Sequence, residues 1–306
     1  MIVVFGSINV DMVVQVENLP RAGETVLAPS YITVAGGKGA NQAVAAARAG
    51  ATTHMVGCVG RDGFADLALA TMADVGIALS AVATVDEPTA CAMIGVDKDG
   101  ANQIIVASGA NWLTTASQLG DDLLGPDTTL VLQLEVDFHE TWAVVERAKA
   151  RGARVVMNTA PTAPVPPAIA VACDVLVMNE IEAPMLASAA GFDATDPIDC
   201  ARAMAEAWGT ATVVTLGGDG ARAFEPGAAW HVDALAIEPV DTTAAGDAFV
   251  GVLAATLDDD RDLAEALHRA SVAGALACLT TGAQPSLPDE SSIDKAISGL
   301  APPQRI

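Results

Sequence analysis

The sequence predicts an α/β protein: a three-layer α/β/α sandwich with a mostly parallel central sheet and a small second β-sheet. Three observations carry that expectation. Short runs rich in β-branched residues alternate with Ala-rich helical stretches, many of those runs end on a polar residue, and two stretches break the alternation with strand–turn–strand patterns.

"MIVVFGS" reads as a short buried strand closed by a glycine turn. "TTLVLQLE", "ARVVMN", "CDVLVMN" and "ATVVTLGG" are further β-branched runs, while "ETWAVVERAKARG", "PIDCARAMAEAWG" and "FVGVLAATL" have the apolar spacing of helices. "IEPV" (237–240) reads as the end of a strand ahead of the last of these. Such alternation argues for parallel strands covered by helices on both faces. The polar strand ends are Ser7, Asn9, Glu135, Asn158, Asn179 and Thr215. In open parallel sheets ligands bind at the carboxyl ends of the strands, so these tips are expected to share one crevice.

Residues 12–34 and 89–106 look instead like short strands joined by Pro, Gly and Asp turns, with "DKDG" placed as a hairpin loop. They are expected to form a small antiparallel sheet beside the main body, placed as a lid; edge strands of the main sheet are the alternative that periodicity leaves open. The 306 residues then fit one large α/β domain, 1–306, with the lid strands inserted.

The net charge of −23 argues against nucleic acid, because phosphate backbones demand basic patches. A small phosphorylated ligand held by local N–H donors and a metal stays compatible with it. Hydrophobic residues make up 52% of the chain, yet no uncharged apolar run reaches the roughly 18–20 residues that span a bilayer. The start lacks a basic leading segment, so a soluble, cytoplasmic protein is expected without a membrane partner. Five cysteines, an odd number with no CxxC, suit reduced and mostly buried thiols. The four histidines show no metal-ligand spacing.

Three segments carry chemistry. "GGKGANQAVAAARAG" (36–50) starts with glycines and runs into a strong helix former, with Lys38 and Asn41 on its first turn. It is neither a Walker loop nor a dinucleotide fingerprint, and alone it reads equally as a plain helix start. "GSINVD" puts Asn9 and Asp11 two apart on extended chain, so both side chains point the same way and suit adjacent hydroxyls; an ordinary polar turn is the alternative. "DTTAAGDAF" (241–249) sets Asp247 at a helix start, where unpaired N–H groups of Ala244, Ala245 and Gly246 attract an anion. A phosphoryl group in flight is such an anion, and Asp247 would accept the proton of the attacking hydroxyl. A helix-capping acid explains the same fragment.

Together with "PRAGETV", "LQLE", "MNEIEA", "TLGGDGA" and "GAQPSLP", these segments follow one another in the order shown by the ribokinase family of carbohydrate kinases, which the chain resembles over essentially its whole length. The resemblance implies an ATP-dependent kinase acting on the terminal (5-) hydroxyl of a pentose, D-ribose first. Deoxyribose, a ketohexose or a nucleoside is the runner-up substrate, and a catalytically silent sugar- or nucleotide-binding protein is the reading from another class. By motif, Asp247 would be the base, with Ala244, Ala245 and Gly246 as the anion hole. Asn9, Asp11, Gly37, Lys38, Asn41 and Glu135 would bind sugar. Asn179, Thr215 and Gly217 would meet ATP, and Glu182 would influence Mg²⁺. Asp241, Thr243, Ala277, Thr280, Gly282 and Ser286 would hold a monovalent cation, K⁺, behind the anion hole. The resemblance also implies a homodimer. The stretches 222–240 and 268–276 carry little signature, so no adenine contact is expected at a named residue.

Overall fold

The computed structural model describes residues 1–306. A ten-stranded sheet runs in the spatial order β14 (Gln304–Arg305), β13 (Ala228–Val232), β12 (Ala221–Glu225), β11 (Ala211–Thr215), β10 (Val175–Asn179), β9 (Arg154–Asn158), β8 (Thr129–Leu132), β1 (Ile2–Phe5), β4 (Thr53–Gly60), β5 (Ala78–Val85). From β11 to β5 all neighbours are parallel, and only the three strands at the β14 edge pair antiparallel. Every residue of β1 and β8 is buried, and apart from Thr129 at the start of β8 all of them are apolar: a strand covered on both faces has no polar side.

Helices α1 (Lys38–Arg48), α2 (Gly63–Asp74), α7 (Ala245–Asp258), α8 (Leu263–Ala277) and α9 (Glu290–Ala296) cover one face. Helices α3 (Phe138–Ala150), α4 (Pro167–Ala172), α5 (Glu182–Ala189) and α6 (Pro197–Trp208) cover the other. The two faces bury separate cores, of 40 and 31 residues, so the architecture is the expected three layers. Helix limits follow local chemistry. In α6 the Asp196 side chain accepts from the Ile198 and Asp199 N–H groups, Pro197 opens the first turn, and Gly209 ends the helix in the left-handed region at φ 66°.

A second sheet of four strands has the order β3 (Tyr31–Gly36), β2 (Asn9–Gln15), β6 (Ala90–Val96), β7 (Asn102–Ala107). Both irregular stretches therefore leave the main sheet, as expected, but two details differ. The sheet is mixed rather than antiparallel, because β2 and β6 pair parallel from Asn9↔Ala90 to Gln15↔Val96. The reason is directional: β2 follows β1 and β6 follows β5, two parallel strands, so both leave the main sheet with the same heading. The first strand also starts at Asn9 rather than near residue 12, which makes the polar residues of "GSINVD" part of this sheet. The "DKDG" turn joins β6 to β7, with the Asp97 Oδ1 accepting from the Asp99 and Ala101 N–H groups.

"IEPV" is a further correction, since 237–240 forms no strand. Pro239 has no N–H for a ladder, and the Val240 and Asp241 N–H groups both turn to the Cys278 carbonyl. No helix is long and apolar enough to cross a membrane, and all five cysteines are free thiols.

Candidate active site

The site is built where α1 begins. Gly37 caps the helix at φ 91°, and the Ala40 N–H donates to the Ser7 carbonyl at 2.9 Å. A Cβ on Gly39 would lie 2.6 Å from the Ser7 nitrogen, so glycine lets the helix start press directly on the corner between β1 and β2. Ser7 ties the corner to β8's end: its hydroxyl donates to the Glu135 Oε2 at 2.5 Å and accepts from the Gly39 N–H at 3.1 Å, while the Lys38 N–H reaches the same Glu135 oxygen at 3.2 Å. Lys38, Asn41 and Glu135 are thereby brought to the end of β2 that carries Asn9 and Asp11.

Helix α7 packs against α1, and its first turn delivers Asp247 to this cluster. The Asp247 Oδ2 accepts from the Asn41 Nδ2 at 2.8 Å and the Oδ1 from the Gln42 Nε2 at 3.0 Å. No side chain caps α7, so the capping alternative fails: amides of α1, not N–H groups of its own helix, hold the acid. The Asn41 Oδ1 is buried with no hydrogen-bond partner. It is an acceptor facing a site rich in other acceptors, and it calls for a hydroxyl or amine donor.

Ahead of Asp247, Ala244 adopts the left-handed conformation at φ 59°, ψ 10°. An alanine held there costs about 1–2 kcal/mol, which the surrounding packing must offset. That backbone turn leaves the Ala244 and Gly246 N–H groups without a main-chain acceptor, whereas the Ala245 N–H donates to the Thr242 carbonyl at 3.2 Å. Of the three expected anion-hole donors, two are free and the third is shared with a turn.

Charges converge on the cluster. Burial pushes the Asp11 carboxyl up to about 6, with Glu135 and Asp247 adding to it and Lys38 partly opposing. Burial works against the charge of Lys38, but Asp247, Glu135, Glu182 and Asp11 outweigh it and hold the ammonium above its ordinary value. Burial also raises Glu182, against the Asn179 N–H and Lys38, which favour its charge.

Two positions were not legible as site residues. Asn111, on the short 3₁₀ turn Gly109–Leu113, accepts from the Ile8 N–H at 3.0 Å and donates to the Asn9 Oδ1 at 2.7 Å. Because a main-chain N–H can only donate, Asn111 cannot flip, and Asn9 must present its NH₂ to the site. Gln42 is the other, buried beside Asp247. Asn111 meets Ile8 and Asn9, and Gln42 meets Asp247, across more than a hundred residues of chain, a proximity no local spacing encodes.

Among the residues expected to meet ATP and Mg²⁺, Asn179 and Glu182 form a reciprocal cap: the Asn179 Oδ1 accepts from the Ile181 and Glu182 N–H groups at 2.8 Å, and the Glu182 Oε2 from the Asn179 N–H at 2.9 Å. Thr215 ends β11 beside them, paired with Asn179, and Gly217 follows at φ 54°. Behind the start of α7, Asp241 links the two loops expected to hold a cation: its Oδ1 accepts from the Thr243 N–H at 2.9 Å and its Oδ2 from the Gly282 N–H at 2.8 Å. Burial opposes its charge, but these bonds prevail and keep the carboxyl below its ordinary value. Ala277, Thr280 and Ser286 lie on the same second segment without a hydrogen bond to Asp241, and the Ser286 hydroxyl donates to the Ala283 carbonyl. No cluster of three or more His, Cys, Asp or Glu side chains is placed to hold a metal ion.

The model of the pfkB family of carbohydrate kinases matches residues 1–290. The chain belongs to that family. It is 32% identical over 288 residues to the ribokinase of Haemophilus influenzae, covering 93% of this chain and 94% of that one. It is also 32% identical over 302 residues to a deoxyribokinase of Salmonella typhi, covering 97% and 98%. Among solved structures, the ribokinase of Thermotoga maritima superposes with a TM-score of 0.90 at 32% identity over 97% of this chain and 99% of that one. The Arabidopsis thaliana ribokinase complexed with ribose and ATP gives 0.86 at 32% identity over 97% and 98%. The chain is thus a sugar kinase by family, with the fold that its sequence predicts.

Proposed function

We propose that this protein is an ATP-dependent kinase that transfers the γ-phosphate to the 5-hydroxyl of D-ribose, giving D-ribose 5-phosphate and ADP. The observation that carries the reading is the placement of Asp247: a buried carboxylate locked by two amides of α1, one turn from open N–H donors, beside an unpartnered buried Asn41 Oδ1. Relatives and solved ribokinases of similar length support the choice of ribose.

Asn9 donates to a sugar oxygen through its free NH₂, while Asp11 accepts from neighbouring hydroxyls and Asn41 Oδ1 from another. Lys38, Gly37 and Glu135 close the polar ring around the sugar. Asp247 takes the proton from the 5-hydroxyl as that oxygen attacks the γ-phosphorus. The Ala244 and Gly246 N–H groups, with the Ala245 N–H if its turn loosens, stabilise the charge on the transferred group at the positive end of α7. Asn179, Thr215 and Gly217 receive the nucleotide phosphates at the carboxyl ends of β10 and β11.

For Mg²⁺ the donor chemistry fits a loosely held ion: Glu182 is the one half-buried carboxylate on the phosphate side, so the ion would be carried by the phosphates and by waters that Glu182 orders. Bound there, Mg²⁺ neutralises phosphate charge. For K⁺, the single Asp241 carboxylate with carbonyl and hydroxyl oxygens of Thr243, Ala277, Thr280, Gly282 and Ser286 is a hard-oxygen set of low charge, suited to a monovalent ion. It would shape the anion hole from behind.

The small sheet supports a homodimer reading. It exposes large apolar side chains on both sides, with Ile32, Ile104 and Val106 on the face that carries Asp11, and Tyr31, Met93 and Ile105 on the opposite face, more apolar surface than is typical of a monomer. A second copy of the same sheet is the partner, and the sheet then doubles as lid and contact. Five unpaired thiols are in keeping with a cytoplasmic location. A coupled assay of ADP release with D-ribose, ATP and Mg²⁺ tests the function. Ribose-dependent turnover supports it, and ATP binding without turnover would leave only a binding protein.

A further inference from the structure

Gln42 sits at a junction of buried amides. One Nε2 proton goes to the Asp247 Oδ1 and the other to the Asn158 Oδ1, both at 3.0 Å, and its Oε1 accepts from the Gln133 Nε2 at 2.7 Å. Gln42 and Gln133 are fully buried. The polarity of this chain is fixed at both ends. The Asn158 Nδ2 donates to the Val177 carbonyl at 3.2 Å, a group that can only accept, so the Asn158 Oδ1 must face Gln42. At the other end an ionised Asp247 can only accept. Reversing Gln42 would set its oxygen against two other oxygens. Gln133 is seated tightly: a Cβ on Gly6 would lie 1.9 Å from its Oε1, so a glycine directly after β1 is what admits the side chain. The Gln133 Oε1 has no partner of its own.

An unpartnered buried oxygen is a cost to folding. An apolar side chain at 133 would remove that oxygen and leave the one on Gln42 without its donor, a near-even exchange, so stability alone does not account for a glutamine there. We propose that Gln133 and Gln42 form a relay that positions the catalytic carboxylate: Gln133 fixes the rotation of the Gln42 amide, and Gln42 fixes the plane of Asp247 so that a lone pair of its Oδ1 or Oδ2 meets the attacking hydroxyl. Gln42 and Gln133, both fully buried, act through Asp247 and are positioning residues. This inference rests on the reading of Asp247 as the base.

The test is a double-mutant cycle with Gln42→Met and Gln133→Met, which keep side-chain length and remove the amides. Loss of a hydrogen bond to a charged group predicts that Gln42→Met lowers kcat by about tenfold or more, with the KM of ribose and of ATP within about threefold of the parent. Gln133→Met lowers kcat by about three- to tenfold although it is two bonds removed from the reaction. It removes one unpartnered oxygen and leaves another, on Gln42, so the melting temperature stays nearly constant. The double variant is no slower than Gln42→Met alone, because residues acting in series are not additive. Additive effects, a change in ribose KM in place of kcat, or full kcat in Gln133→Met would overturn the relay. Should Gln42→Met fail to fold, the kcat and melting temperature of Gln133→Met decide. Asp247→Asn is measured alongside: if it retains turnover, the base reading itself fails, whereas an inactive Asp247→Asn with fully active glutamine variants rejects the relay only.

Discussion

Lowering the pH should weaken ribose binding before it affects ATP binding, and Asp11 is the cause. Burial, then Glu135 and Asp247, raise its carboxyl to about 6, with Lys38 opposing. The sugar-free protein therefore carries a proton on Asp11 below about pH 6 and loses it above. Sugar hydroxyls donate to the ionised form, so binding must first displace that proton. Each pH unit below the folded value costs about tenfold in apparent affinity, or about 1.4 kcal/mol. Between pH 7.5 and pH 5 the dissociation constant of ribose is expected to rise about tenfold. The same shift has a stability counterpart. A folded value above the ordinary 3.8 means that the stabilising contribution is complete below about 4 and is lost as pH rises through about 6. Charging buried Asp11 then costs about 3 kcal/mol at neutral pH by linkage. Asp11→Asn should therefore bind ribose weakly and without this pH dependence, while unfolding at higher denaturant than the parent at pH 7.5. Isothermal titration of ribose from pH 5 to 8, without ATP, reads the first effect, and urea titration reads the second. A ribose affinity that is flat across this range in the parent, or an Asp11→Asn variant that keeps the parent's slope, would refute the reasoning.

The other expectations are more direct. Asp247→Asn should lower kcat by about 10² or more with ATP binding retained, measured by single-turnover kinetics and nucleotide titration; near-native turnover would show that the acid is not the base. Asn111→Leu frees the Asn9 amide to turn and should raise the ribose KM by about tenfold with ATP KM unchanged, so an unaltered ribose KM contradicts the role of Asn111. K⁺ at fixed ionic strength should give higher activity than a bulky organic cation, and equal rates would remove the Asp241 site. Ile105→Glu should convert dimer to monomer in sedimentation velocity; a parent protein that is already monomeric at micromolar concentration would end the dimer proposal.

The layered fold was legible because buried parallel strands must be almost wholly apolar, as β1 is and as β8 is after Thr129, and because their polar ends must meet the crevice, as Glu135, Asn179 and Thr215 do. Lys38, Asn41, Asn9 and Asp11 were legible because each sits within a few residues of a glycine turn or strand end that aims it. Pairing direction in the small sheet was not, since strand periodicity is the same in parallel and antiparallel ladders and β2 meets β6 across some eighty residues. "IEPV" misled because a short β-branched run carries no mark of a missing strand partner: Pro239 has no N–H for a ladder, and Val240 is exposed. Asn111, Gln42 and Gln133 were silent because an amide in an apolar stretch reads as an interruption until its partner's position is known. The share of the Ala245 N–H taken by Thr242 depends on a backbone rotation that no motif spells out.

The central claim is transfer to the 5-hydroxyl of D-ribose. A panel of D-ribose, 2-deoxy-D-ribose, D-fructose and adenosine with ATP and Mg²⁺, read as kcat/KM from ADP release with the ribose product's phosphorylated carbon assigned by ³¹P NMR, tests it. A donor from Asn9 or an acceptor from Asp11 left unpaired by a missing hydroxyl costs roughly 1–3 kcal/mol, about tenfold to more than a hundredfold. The account predicts D-ribose first by such a margin, with phosphate on C5. A panel led by deoxyribose, fructose or adenosine, or a ribose product phosphorylated elsewhere, would contradict it.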